Sequence, residues 1–261
     1  MSMFTKKSLG QNFLMHPQTA ERIVVASGVR AGSTVLEVGP GTGMLTRALL
    51  ARVRKVIAVE ADHTLLSALS ETFAEEIGTG RLELVSGDIR SFDTATIPGE
   101  YSVVANIPYY ITGEIIRQFL TRTHKPASMT LLVQKEVAVR IARDKKESLL
   151  SLSVKAFGTP KYCFTVPRGA FRPAPNVDSA VLSIENIQGD AFSSPEEEQV
   201  FFEVLRAGFS QKRKRLAKNL EQLYPSESIV RAFQTLGLSP NVRSEDIGEE
   251  VWRSLVHTLR I

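Results

Sequence analysis

The chain has 261 residues, of which 43% are apolar and 23% charged, with a formal charge of +4 and a single cysteine, Cys163. Those values exclude an intramolecular disulfide and disorder as the main state, and they suit one sizeable domain or a domain with a small appendage. No apolar stretch is long enough to span a bilayer, His16, His63, His124 and His257 are too scattered for a zinc site, and MSMFTKKSLGQNFL lacks a signal-peptide core, so no metal, no membrane and a reducing, cytoplasmic setting are expected.

Pro17 marks a helix start, with Ala20, Ile23, Val24 and Val25 supplying an apolar face that ends near Gly28. TVLEV (34–38) reads as a buried strand, then a glycine-rich turn, then a helix over Met44–Arg52. KVIAVE (55–60) is a second strand, residues 62–77 a helix, and RLELVSGD (81–88) and EYSVVAN (100–106) two further strands. A helix over 111–122 and a strand over 129–134 continue the alternation, which argues an α/β fold with a mainly parallel sheet. PKYCFTV (160–166) and SAVLSIENI (179–187) have no obvious helix between them and are expected as an antiparallel pair finishing the sheet. Residues 188–198 are polar and acidic and read as a linker between a catalytic domain over 1–187 and a helical domain over 199–261. Four helical patterns fit that last part, at about 196–209, 211–222, 226–236 and 244–259.

TVLEVGPGTG places Gly39, Gly41 and Gly43 directly after a strand, where backbone N–H groups can approach a ligand. The spacing is G-x-G-x-G, and the position where a dinucleotide fingerprint needs its third glycine holds Met44, which disfavours pyrophosphate and a nicotinamide oxidoreductase. Glu37 would repel a phosphate but suits a sulfonium. Glu60, at the end of the second strand, is placed to accept from ribose hydroxyls, and Asp88, at the end of the third, to accept the amino group of an adenine ring. Together they describe a cationic nucleoside without phosphate, S-adenosylmethionine.

EYSVVANIPYYIT (100–112) ends a fourth strand at Asn106 and continues through Ile107, Pro108 and Tyr109 at the carboxyl edge of the sheet. Adenine's exocyclic amino group is a poor nucleophile because its lone pair is delocalised into the ring. The Asn106 side-chain oxygen and a main-chain carbonyl near Ile107 or Pro108 could accept its two hydrogens and favour a tetrahedral nitrogen, with Tyr109 stacked on the ring. A base inside nucleic acid must be flipped out or unpaired for this. Phe171, in AFRPAPNVDSAV (170–181), is a second aromatic face or, alternatively, a core residue under a loop. Lys212, Arg213, Lys214, Arg215 and Lys218 put five cations into seven residues, expected on one helix as an RNA-backbone contact; Arg140, Arg143, Lys145 and Lys146 form a second run, either a rim of that surface or an exposed turn.

GQNFL (10–14), VLEVGPGTGMLT (35–46), NIPYYIT (106–112), FRPAPNVDSAV (171–181) and FSQKRKRLAKNL (209–220) together resemble the KsgA-type small-subunit ribosomal RNA adenine dimethyltransferases, in order over nearly the whole chain. The resemblance implies a Rossmann-like, S-adenosylmethionine-dependent methyltransferase domain with a small all-helical C-terminal domain. It implies two methyl transfers to each of two adjacent adenosines in the 3′-terminal hairpin loop of small-subunit rRNA, within an assembling subunit. It assigns the cofactor site to Asn12, Leu14, Gly39, Glu60, Asp88 and Asn106, and base stacking to Tyr109 and Phe171. Two departures are visible: the tail motif opens with Lys212-Arg213 where relatives commonly carry two arginines, and Tyr110 stands where many carry asparagine. A large-subunit rRNA methyltransferase of the resistance type and a non-catalytic ribosome-assembly factor on the same scaffold are the rival readings. A monomer is the default.

Overall fold

The computed structural model describes residues 12–260. In chain order the elements begin with β1 (Phe13–Leu14), α1 (Pro17–Ala26), β2 (Thr34–Val38), α2 (Met44–Leu50), β3 (Lys55–Glu60), α3 (His63–Thr72), α4 (Ala74–Gly78) and β4 (Leu82–Ser86). There follow β5 (Ser102–Asn106), α5 (Thr112–Thr121), β6 (Ser128–Gln134), α6 (Lys135–Ala142), α7 (Leu149–Lys155), β7 (Thr159–Val166), β8 (Phe171–Arg172) and β9 (Ser179–Glu185). The last are α8 (Pro195–Gly208), α9 (Leu216–Leu220), α10 (Ser226–Thr235) and α11 (Glu249–Arg260).

Seven strands form one sheet in the order β4-β3-β2-β5-β6-β9-β7. Strands β2 to β6 run parallel, and β9 and β7 close the sheet as the expected antiparallel pair. The parallel strands read as unbroken apolar runs because both faces are covered: every residue of β2 is buried. Pro160 sits in β7, the edge strand, where its missing N–H costs no ladder bond. The chain winds from β2 outward through β3 to β4, then returns to place β5 on the other side of β2. That reversal leaves a crevice at the carboxyl ends of β2 and β5, the usual ligand position in such sheets. A two-stranded pairing of β1 with β8 (Leu14 opposite Phe171), not expected from the sequence, fastens the segment after Asn12 to the loop before β9. The expected helix over 62–77 is two helices, because Phe73 (φ −115°, ψ 29°) leaves the helical path between them.

The molecule divides into two compact units. The first runs to Ala138 and resumes over Gly158–Gly189. Its core joins α1, α2 and the sheet through residues such as Ile23, Val35, Leu49, Val104, Leu132 and Val181. The second comprises Val139–Phe157 and Asp190–Ile261. Val139–Phe157, expected in the first domain, has its partners in the second unit. Phe157 packs on Phe192 and Phe202 with ring centroids 5.5 and 5.8 Å apart. Arg253 on α11 donates to the carbonyls of Ala156 at 2.6 Å and Ala191 at 2.9 Å. The stretch read as a linker over 188–198 runs into α8, whose cap Ser194 accepts from the Glu197 N–H at 3.2 Å. Trp252 is fully buried at the centre of the second unit, with Phe209 stacked on it. Among the described residues no helix is long and apolar enough to cross a membrane.

Candidate active site

The turn after β2 is held by its glycines. Gly39 donates to the Val59 carbonyl at 3.0 Å, and Gly43 to that of Pro40 at 2.9 Å, which folds the chain back before α2 begins. Gly43 has φ of 79°, and a Cβ there would stand 2.5 Å from the Phe73 ring. Only glycine satisfies both the backbone and the packing.

Glu60, 5% exposed at the end of β3, ties this turn to the next strand. Its Oε2 accepts from the Gly41 N–H at 3.2 Å and its Oε1 from the Asp62 N–H at 2.9 Å. A carboxylate offers about four acceptor positions, so two remain for hydroxyl donors. Glu37 lies on β2 and is 1% exposed, and its Oε2 has no hydrogen-bond partner among the described residues. Burial, aided by the nearby Glu60 carboxylate, pushes its carboxyl up to about 8. A buried carboxyl in this state answers a cation placed beside it.

Asp88 follows Gly87 at the end of β4. The Arg90 guanidinium grips both of its oxygens, with Nε 3.0 Å from each and Nη2 2.6 Å from Oδ2. That contact holds the Asp88 carboxyl below its ordinary value, so it remains an ionised acceptor. Arg90 was not singled out by the sequence reading. An arginine two residues beyond the strand-end acid, whose own N–H also bonds Asp88 Oδ1 at 2.9 Å, was the available signal.

Asn106 ends β5. Its Nδ2 donates to the main-chain carbonyl of Asn12 at 2.9 Å. A carbonyl only accepts, so this contact fixes which end of the amide is nitrogen and leaves Oδ1 as the available acceptor. The Pro108 carbonyl takes the Ile111 N–H at 3.2 Å, turning the chain into one tight helical turn over Tyr109–Ile111. Tyr109 is half-buried, and its hydroxyl lies 2.5 Å from Ser179 Oγ. Burial raises its pKa, so it stays a neutral phenol.

One cavity draws these groups together. Asn12, Leu14, Glu37, Gly39, Gly41, Glu60, Asp88 and Asn106, the eight residues expected at the cofactor, all line it. Pro108, Tyr109 and Arg90 line it too. A second cavity shares Asn12, Tyr109 and Tyr110 with the first and adds Gln134 and the loop over 174–177. Asn106 lines the first cavity, and Asn12, whose carbonyl holds its amide, lines both. Three carboxyl groups, Glu37, Glu60 and Asp88, and the Arg90 guanidinium are the acidic and basic side chains of the first cavity among the described residues. That set, with an orphaned carboxylate oxygen, fits a nucleoside bearing a positive charge.

A family model described as ribosomal RNA adenine dimethylase matches residues 3–260. The chain belongs to that family. The ribosomal RNA small subunit methyltransferase A of Dehalococcoides mccartyi is 40% identical over 256 residues, covering 96% of this chain and 87% of that protein. Among solved structures, a dimethyladenosine transferase from Plasmodium falciparum superposes with a TM-score of 0.80 at 26% identity, over 93% of this chain and 95% of that one. The 23S rRNA methyltransferase ErmE superposes at 0.77 with 26% identity, over 96% and 100%. This dimethylase is therefore a Rossmann-like, S-adenosylmethionine-dependent methyltransferase of ribosomal RNA.

Two expectations need correction within the dimethylase. Phe171, expected as a second stacking face, is 2% exposed and belongs to the core. Its pairing opposite Leu14 packs it among buried aliphatic side chains, and it lines neither cavity. The basic run is not on one helix. Lys212, Arg213, Lys214 and Arg215 occupy an exposed turn of the second unit, and α9 starts at Leu216, with only Lys218 of the set upon it. The Lys214 N–H bonds the Gln211 carbonyl at 3.0 Å, and Arg215 is extended (φ −65°, ψ 147°). Arg215 donates to Asn241 Oδ1 at 3.2 Å and Lys218 pairs with Glu221, whereas Lys212, Arg213 and Lys214 have no side-chain partner among the described residues. In the other run, Lys146 is engaged by Glu245 at 2.7 Å and Asp246 at 2.9 Å, inside the second unit.

Proposed function

We propose that the chain transfers methyl groups from S-adenosylmethionine to the 6-amino groups of two adjacent adenosines in the 3′-terminal hairpin loop of small-subunit rRNA. It acts on the assembling small subunit, as a monomer in the cytoplasm. The observation that carries this reading is the Asn106 to Asn12 hydrogen bond at 2.9 Å, which engages the amide nitrogen and leaves Oδ1 as the acceptor of a residue that lines the first cavity.

In this reading Glu60 accepts from the cofactor's ribose hydroxyls and Asp88 from its adenine amino group, while Glu37 answers its positive charge. Gly39 and Gly41 let the backbone approach, and Asn12 and Leu14 complete the wall. S-adenosylmethionine supplies an electrophilic methyl group on sulfur. On the substrate side, Asn106 Oδ1 and the Ile107 carbonyl accept the two amino hydrogens of a flipped adenine and turn its lone pair out of the ring. Pro108 fixes the backbone that carries that carbonyl. Tyr109 stacks on the base, its ring steadied through Ser179. No side chain need remove a proton before attack, because the methylated amine cation sheds one readily to water. Lys212, Arg213, Lys214, Arg215 and Lys218 bind phosphates of the RNA backbone.

The test is transfer of labelled methyl groups to unmethylated small subunits, with nucleoside analysis of the product. Dimethyladenosine at two adjacent positions is expected. Product confined to large-subunit RNA, or none on any RNA while the cofactor still binds, overturns the reading.

A further inference from the structure

Tyr109 and Tyr110 are consecutive, yet their rings have opposite surroundings. Tyr109 is half-buried and bonded to Ser179. Tyr110 is 68% exposed, more than any other large apolar side chain described, and no hydrogen bond holds its hydroxyl among the described residues. A lone exposed apolar side chain is ordinary on a protein surface. This one stands on the shared lip of two cavities.

The second cavity has a consistent chemistry. Gln134 and Asn176 bring side-chain amides, Val177 brings an apolar surface 42% exposed, and no charged side chain lines it among the described residues. A phosphate would want a cation there. A flat, neutral ring with donors and acceptors on its edge matches an aromatic platform flanked by amides. Extruding one base from a strand also deprives its neighbour of a stacking partner.

We infer that the second cavity is a subsite for the nucleobase flanking the target adenine, with Tyr110 as the platform on which that base stacks. The inference rests on the reading that a flipped adenine occupies the site at Asn106 and Tyr109. Tyr110 then replaces the stacking the neighbour loses, and the Gln134 and Asn176 amides meet its edge.

The experiment uses small subunits reconstituted with unmethylated rRNA, either intact or with the base on one side of a single target adenine removed. On intact rRNA, Tyr110→Ala should lower kcat/KM by about 5- to 150-fold, the range for losing one base–aromatic stack, and Tyr110→Phe should stay near wild type. Wild type should show a similar loss on one of the two abasic rRNAs, and on that rRNA Tyr110→Ala should lose nothing further. Affinity for S-adenosylmethionine, followed by calorimetry, should be the same in all three proteins. Unaltered kcat/KM in Tyr110→Ala, two losses that multiply in full, or a matching drop in cofactor affinity would each overturn the subsite while leaving the adenine reading intact. Failure of the wild-type protein to methylate adenine in intact subunits would overturn both.

Discussion

Asn106 and Asn12, 94 residues apart, are joined by a 2.9 Å hydrogen bond from a side-chain amide to a main-chain carbonyl. The bond converts a rotatable amide into a fixed one. An acceptor held in place needs no reorganisation when charge develops on the substrate nitrogen.

Asn106→Ala removes that acceptor. The expected loss is roughly 1–3 kcal/mol of transition-state stabilisation, about ten- to a hundredfold in single-turnover rate, with S-adenosylmethionine binding still measurable. Asn106→Asp keeps an acceptor but turns a carboxylate oxygen toward the Asn12 carbonyl, so it should not restore the rate. Full turnover by either variant contradicts the assignment.

Glu37 makes the protein without cofactor pH-sensitive. Its carboxyl is pushed from 4.5 to about 8, so across that window the folded chain keeps a proton the unfolded chain has released. Its contribution to stability is whole below the lower value and is lost as pH rises to the upper one, by at most about 1.4 kcal/mol per pH unit. Denaturant titrations between those limits should show the decline, and Glu37→Gln should flatten it. An equal slope in the variant would assign the decline to other groups.

The same carboxyl distinguishes cofactor from product. A sulfonium beside Glu37 favours its ionised form, so S-adenosylmethionine should expel a proton on binding near neutral pH, whereas S-adenosylhomocysteine, uncharged at sulfur, should expel less. Calorimetry in buffers of different ionisation enthalpy reads this directly. Equal proton release with both ligands counts against the placement of the cation.

Gly43 is the tightest point of the turn. Gly43→Ala puts a side chain on a backbone with φ of 79° and a Cβ 2.5 Å from Phe73. The left-handed strain and the overpacking together should cost roughly 2–5 kcal/mol, visible as a lowered thermal midpoint. A midpoint within a degree or two of wild type would show that Phe73 moves aside without penalty.

Lys212, Arg213 and Lys214 are exposed and without partners among the described residues, so their joint replacement by alanine should leave the thermal midpoint unchanged. If each meets a phosphate, RNA affinity should fall and the log–log salt dependence should flatten by about 2 to 3. An unaltered salt slope would separate this turn from RNA binding.

Periodicity and chain order carried much of this molecule by themselves. The alternation from TVLEV to MTLLVQ specifies a parallel sheet because a strand buried on both faces must be apolar throughout, a purely local property. Gly39, Gly41 and Gly43 after β2, the acids closing β3 and β4, and Asn106 closing β5 are legible for the same reason. Each stands where a strand ends, and strand ends can be read from sequence. What the sequence could not contain is which distant groups meet. The Asn12 carbonyl orients Asn106, Arg90 grips Asp88, and Leu14 pairs with Phe171 and draws that ring into the core. Val139–Phe157 belongs to the second unit, where Phe157 and Ala156 meet Phe192, Phe202 and Arg253. The basic run reads as a helix by composition, yet Arg215 is extended and α9 waits until Leu216. Local pattern determines which elements form. Partners brought together by folding determine where each side chain points, and the chemistry follows from that.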